Sequence, residues 1–338
     1  MSTAGRLLIA GNSGGTNIGS SLLRAAQSLG VEAELEDARQ AYAAPKLVAR
    51  FHWWLRDRRP ARLAAYSGAV VDRCRRQHPR WLIATGLAPI EAGALEHIRA
   101  MGVVTMNYLT DDPWNPAFKS AWFLSALEQY DRVFSVRRRN LDDLRRVGCR
   151  HVEYLPFGVD PDLFFPETLA PSELQAYRSD VCFVGGGDPE RVEYIAALMT
   201  AGLDVGLYGD YWGRYAATRR AWRGHAPPEV LRKATSASAV SLCMIRRANR
   251  DGHTMRSFEV PAMAACMLAE DTDEHRAMFG DDNRAVVYFR TAADAIDAAK
   301  ALLADAPRRR RLAEAGRAVI TAGQHTYCDR LLAMLEAA

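Results

Sequence analysis

The chain is poor in lysine, in paired cysteines and in long apolar runs, and each shortage excludes something. Only Lys46, Lys119, Lys233 and Lys300 stand among 44 cationic residues, so arginine carries nearly all the positive charge. The arginine fork suits carboxylate and phosphate contacts, but heavy arginine use also follows from gene base composition and marks no site by itself. The net charge of +4 is small for 338 residues, and no nucleic-acid partner is expected. The six cysteines, Cys74, Cys149, Cys182, Cys243, Cys266 and Cys328, form no CxxC pair, and three of them lie in apolar runs where a small hydrophobe fits. Disulfides and zinc are therefore not expected, and a reducing, cytoplasmic setting is. The apolar run in "MSTAGRLLIAGNSGG" is too short for a signal peptide. No segment approaches the roughly 20 apolar residues of a transmembrane helix, and no low-complexity stretch occurs.

What is present is a core-forming composition, 49% hydrophobic and 25% charged, arranged as short apolar runs alternating with amphipathic stretches. Strands are predicted at Arg6–Gly11, Ala33–Asp37, Trp81–Gly86, Val103–Leu109, Arg132–Val136 and His151–Pro156. Helices are predicted between them, including Asn17–Leu29, Arg62–Gln77, Ile90–Met101, Pro116–Gln129 and Leu141–Val147. Such alternation makes parallel βαβ units. A linker with prolines at 156, 161, 166 and 171 follows. A second series then runs from "DVCFVGGG" through "DVGLYG", "AVSLCMI", "CMLAE" and "AVVYF". The predicted fold class is α/β with two Rossmann-like domains. They cover residues 1–165 and 166–323, with a last helical segment, 324–338, that returns to the first domain.

Glycine-rich turns follow the first strand of each half. "AGNSGGTNIGS" (Ala10–Ser20) is not a clean GxGxxG, and no acid sits cleanly at the end of the second strand in the dinucleotide manner, Glu36 and Asp37 being the candidates. A tight strand-to-helix turn explains it equally well. "FVGGGDPERVEYI" (Phe183–Ile195) offers the amides of Gly185, Gly186 and Gly187, with Asp188 as helix cap before Pro189. Tyr208 in "LYGDYWG" is a candidate stacking surface for a base. "YLTDDPWN" (Tyr108–Asn115) ends a strand with adjacent carboxylates, Asp111 and Asp112, suited to base catalysis or to orienting hydroxyls. Asp112 before Pro113 also reads as a helix cap.

The densest polar cluster is "NRDGHTMRSFEVPAMAACM" (Asn249–Met267). A helix is predicted to start there, with Ser257 or Thr254 as cap and Pro261 in its first turn. Glu259 in that turn can accept from two vicinal hydroxyls, as on a ribose. Arg256 can meet a diphosphate bidentately. Asp251, Gly252, His253 and Thr254 line the loop before it, suited to sugar hydroxyls.

The run Asp251–Phe279 resembles the carboxyl-terminal domain of the spore-maturation CgeB-like glycosyltransferases, a branch of the GT-B superfamily. Phe134–Pro166 and Leu312–Leu335 are similar to the same family. The resemblance implies two Rossmann domains facing a cleft, a nucleoside-diphosphate sugar held mainly by the second domain, and no metal. It places Glu259 on the donor ribose and puts Asp251, where relatives often carry glutamate, near the donor sugar. The expected function is glycosyl transfer with a UDP-sugar the favoured donor and no bound cofactor. Asp111 or Asp112 serves as base or orienting group, and Asn12, Gly14, Gly15 and Trp114 lie on the acceptor side. Rivals are a nucleotide-sugar epimerase on the same fold and a non-catalytic nucleotide-sugar-binding protein. Neither the acceptor nor the oligomeric state is legible. "FHWWLRDRRPARL" (Phe51–Leu63) mixes aromatics with arginines. It reads as a partly exposed amphipathic segment that lines the acceptor side or meets a lipid or partner surface.

Overall fold

The computed structural model describes residues 5–338. The chain divides into two compact units. The first comprises the chain up to Phe157, the segment Arg246–Asp251 and Tyr327–Ala338; the second comprises Gly158–Ile245 and Gly252–Thr326.

The first unit is built on six strands, β1 (Leu7–Gly11), β2 (Ala33–Asp37), β3 (Trp81–Thr85), β4 (Val104–Leu109), β5 (Arg132–Ser135) and β6 (Val152–Tyr154). Their order is β2-β1-β3-β4-β5-β6, parallel throughout. The second unit has β7 (Val181–Val184), β8 (Val205–Tyr208), β9 (Val240–Cys243), β10 (Met267–Glu270) and β11 (Val287–Phe289), in the order β11-β10-β9-β7-β8, again parallel. Burial follows the sequence pattern. β1 is buried along its whole length, as are β7, β8, β9 and β10, because helices cover both faces of a parallel sheet. The edge strand β2, "AELED", alternates with charge and is only partly buried, which keeps an exposed edge from pairing.

The order reverses between β1 and β3 in the first sheet and between β7 and β9 in the second. Ligands of such sheets bind beyond the strands' carboxyl ends at this switch point. The glycine-rich turns after β1 and β7 and the polar loop after β9 lie there.

Several elements differ from the sequence expectation. The helix expected at Pro116–Gln129 is Ala121–Leu127. Asn115 Oδ1 accepts from Ala117 N at 2.9 Å and Asn115 N donates to Asp112 O at 3.1 Å, so local turns take the bonds a helix would need. Asp57 Oδ2 then accepts from Ala121 N at 2.6 Å and sets the helix start. Helices at Lys46–Leu55, Pro171–Tyr177 and Asp273–Phe279 were not expected. The last helix, Tyr327–Ala337, packs on the helix Ile18–Ser28, and Arg330 donates to the carbonyls of Pro156 and Phe157 at 2.8 Å. Among the described residues no helix is long and apolar enough to cross a membrane. All six cysteines are free thiols, five of them buried and Cys328 partly exposed.

Candidate functional site

In the second unit, the turn after β7 is held by its own backbone. Gly185 N donates to Tyr208 O at 2.9 Å and Gly187 N to Asp210 O at 2.9 Å, while Trp212 Nε1 donates to Gly185 O at 2.8 Å. The amides of Gly185 and Gly187, expected open for a phosphate, are therefore committed to the neighbouring strand end. Asp188 caps the helix Pro189–Thr200, accepting from Arg191 N at 3.0 Å. The buried Arg191 ties turn to strand: it donates to Gly186 O at 3.1 Å, Met244 O at 3.2 Å and Ile245 O at 3.3 Å. Tyr208 is no stacking surface. Its side chain is buried, and that burial raises its hydroxyl pKa. The exposed aromatic of that loop is Tyr211, under the Arg214 guanidinium at 4.4 Å.

The loop after β9 re-enters the second unit at Gly252. A Cβ on Gly252 would press on the Glu274 carboxyl end, which would have to shift to make room. The Gly252 carbonyl accepts from Thr272 Oγ1 at 2.6 Å. His253 is buried, with Nδ1 2.5 Å from Glu274 Oε2. Thr254 N donates to Ser257 Oγ at 3.0 Å. Ser257 Oγ lies 2.7 Å from His275 Nε2, and His275 Nδ1 lies 2.7 Å from Glu270 O. A carbonyl only accepts, so Nδ1 carries the proton and Nε2 accepts from the serine hydroxyl. Burial pushes the His275 pKa down to about 4, which keeps the ring neutral.

The helix that follows, Arg256–Ala262, has Met255 at its cap rather than Ser257 or Thr254. Those two side chains are engaged beneath it instead. Pro261 lies inside the helix rather than in its first turn, one residue before the end. Arg256 Nε donates to Val184 O at 3.1 Å, at the carboxyl end of β7, and its guanidinium forms an ion pair with Glu259. The Glu259 side chain is completely buried, whereas Arg256 keeps 21% of its side chain exposed. Neither Glu259 oxygen accepts any other bond among the described residues.

In the first unit, the turn after β1 passes through left-handed backbone at Gly14 (φ 74°) and Gly15 (φ 54°). Glycine takes that conformation without steric cost, and both glycines and Asn12 are exposed. Gly14 N donates to Ser20 Oγ at 2.7 Å. Asp37 is not positioned as a ribose acid. It accepts from Arg39 Nη2 at 2.6 Å and Ser13 Oγ at 2.8 Å, and the arginine holds its carboxyl far below the usual range. Glu36 pairs with Arg73 at 2.7 Å.

The two carboxylates after β4 have separate fates. Asp112 is buried and accepts from Arg250 Nε at 2.5 Å, Arg250 Nη2 at 2.9 Å and Trp114 N at 3.0 Å. Arg250 also donates to Asp143 at 2.6 Å and Asn140 at 3.0 Å, and stands 5.5 Å from the Trp114 ring centroid. Asp112 therefore cannot act as a free base, and Trp114 is turned to Arg250. Asp111 accepts only from Thr110 Oγ1, at 3.4 Å, among the described residues. Burial pushes its pKa up, against the opposing charge of Arg137. Asp251, expected at the donor sugar, forms a nearly fully buried pair with Arg137 at 2.6 Å and accepts from Arg246 N at 3.2 Å. Arg137 also donates to Thr110 O at 2.9 Å. Sequence reasoning missed Arg137, Arg191, Arg250, Glu274 and His275. The arginine run Arg137–Arg139 and the acid-rich "EDTDEH" were the only signals. Among the described residues no three His, Cys, Asp or Glu side chains are grouped to hold a metal ion.

Residues 191–336 match a family model described as glycosyl transferase-like. No curated protein matches the chain. Solved structures do. A sucrose-phosphate synthase from Thermosynechococcus elongatus superposes with a TM-score of 0.70 at 14% identity, over 98% of this chain and 97% of that one. The Anabaena HepE protein, solved in complex with UDP-glucose, gives 0.68 at 11% identity, over 99% and 100%. A glycosyltransferase from Rickettsia africae gives 0.64 at 11% identity, over 98% and 97%. The chain has the two-sheet α/β fold of GT-B glycosyltransferases.

Proposed function

We propose that this chain transfers a sugar from a nucleoside-diphosphate sugar, with a UDP-sugar the favoured donor, to an acceptor. The observation that carries the reading is Glu259. It is a fully buried carboxylate inside the glycosyl transferase-like segment, and Arg256 at the end of β7 is its partner. A buried anion with two oxygens and one cation has acceptor capacity left over. Two vicinal hydroxyls of a ribose supply the missing donors. Arg256, the exposed member of the pair, then turns to the diphosphate. The Anabaena protein of the same fold, solved with UDP-glucose, supports that donor class.

In the transfer step the bond from the sugar C1 to the diphosphate oxygen breaks and a bond from C1 to an acceptor oxygen forms. The leaving nucleoside diphosphate gains negative charge, which Arg256 offsets. The acceptor hydroxyl loses its proton to Asp111 or to the leaving phosphate. Asp111 is favoured over Asp112 because its carboxylate is not consumed by an arginine. Gly14, Gly15 and Asn12 offer an exposed polar turn to the acceptor. His253 reaches the donor sugar, fixed by Glu274. Asp251 supports the site as a strut on Arg137. We also assign the chain to the CgeB-like branch, on its motifs, with no metal required. Six free thiols agree with a cytoplasmic setting.

The test is acceptor-dependent release of nucleoside diphosphate from UDP-, GDP- and dTDP-sugars, with fractionated cell extract as acceptor source. Release from one donor only, requiring acceptor, is expected. Donor binding without any release would leave a sugar-nucleotide-binding protein instead.

A further inference from the structure

We propose that the helix Lys46–Leu55 of the first unit docks on an anionic lipid bilayer. Leu47, Val48, Phe51, Trp54 and Leu55 recur at helical spacing i, i+1, i+4, i+7 and i+8, which makes one apolar stripe. In a water-facing helix that stripe turns to the core. Here it faces solvent: Leu47 is 80% exposed, Trp54 75% and Leu55 73%. No residue of the helix is buried. The face turned to the protein carries the less exposed Ala49 and His52, and Trp53, which lines a small cavity with Phe118, Trp122 and Phe123. The helix is thus seated on its weaker side with its stronger apolar side outward.

Its carboxyl end is tied to the rest of the first unit. Asp57 and Arg58 adopt left-handed backbone (φ 51° and 56°) directly after it. Arg58 donates to the carbonyls of Pro116, Ala117 and Lys119 at 2.8, 3.1 and 2.9 Å. These bonds hold the end of the helix with the stripe outward.

The charge around the stripe selects the occupant. Between Ala38 and Val71 the chain holds seven cations, Arg39, Lys46, Arg50, Arg56, Arg58, Arg59 and Arg62, and a single acid, Asp57. Lys46, Arg50, Arg56 and Arg62 make no ion pair among the described residues. A stripe of leucine, phenylalanine and tryptophan beside unpaired cations matches a helix lying in the interface of an anionic membrane, with Trp54 at headgroup level and the arginines on phosphates. A second copy would set like charges against each other, which disfavours a symmetric pair.

Flotation of the full chain with vesicles tests this independently of sugar transfer. One set is pure phosphatidylcholine, and in the other a third of the lipid is phosphatidylglycerol. Binding to the anionic vesicles, weakening as salt rises, is expected. Each of Arg50→Ser and Arg56→Ser should lower partitioning about fivefold. Leu47→Ser plus Trp54→Ser should abolish it while circular dichroism stays unchanged, since both side chains are exposed. Absence of binding to anionic vesicles, or binding indifferent to the Leu47/Trp54 change, overturns the proposal. Concentration-dependent self-association lost in that double variant overturns it too, in favour of an interface between copies.

Discussion

Asp111 and Asp112 are neighbours with opposite assignments, and their partners separate them. Asp112 is neutralised by the fork of Arg250. Removing it leaves Arg250 with Asp143 and Asn140 and takes the acceptor from the Trp114 amide. Asp112→Ala is expected to cost about 2–3 kcal/mol, below the ~3–5 of a fully buried pair because Arg250 is partly exposed. Thermal unfolding measures this. Asp111→Asn is expected to leave the unfolding midpoint unchanged or higher and to lower kcat about 100-fold or more if the carboxylate is the base. Burial raises the Asp111 pKa. The folded state therefore holds this proton to a higher pH than the unfolded chain. The stability it contributes is complete below the unfolded pKa and is lost as pH rises through the folded value. Asp111→Asn removes that slope, and the wild-type rate falls on the acid side of the same transition. The pair was legible as "DDPWN", but Arg250 lies 138 residues further on, and no local spacing reports it. Tyr208 and the Gly185 and Gly187 amides show the reverse problem. Their types fit a nucleotide site, while packing has already used them.

The strands were legible because interior parallel strands are apolar runs with glycine or polar punctuation. The helix Lys46–Leu55 was not, since its apolar stripe faces out and its end is set by two left-handed residues. The short helix Arg256–Ala262 was legible as an element but not in its bracing, which comes from His275 below. That histidine carries a pH prediction. Its pKa falls from 6.5 to about 4 on burial, so between those values the unfolded chain binds more protons. Stability then rises with pH across this range and is lost on acidification. His275→Asn is expected to flatten that dependence in thermal melts at successive pH values. It should also weaken donor binding, because Ser257 and the loop to Gly252 lose their brace. An unchanged pH profile would remove His275 from that role.

At the scale of the molecule, the two alternating strand–helix series are plain in the sequence, and the chain folds as two units on two parallel sheets. The excursion of Arg246–Asp251 into the first unit was invisible, since it is held by Arg137, Asp112 and Asn115, all distant in sequence. It divides the polar cluster that reads as continuous. Asp251 anchors in one unit, and His253, Arg256 and Glu259 belong to the other. Donor binding at the latter group should stabilise the protein against heat, by about 2.7 kcal/mol when ligand is at 100 times its Kd. The most direct measurement is calorimetric titration of UDP and UDP-glucose into the wild type and into Glu259→Ala, each shown folded by circular dichroism. Saturable binding by the wild type, weakened tenfold to a hundredfold in the variant by loss of charge-assisted hydrogen bonds of about 1.5–3 kcal/mol, is predicted. Equal affinity in both proteins, or no binding of any nucleotide by the folded wild type, would contradict the account.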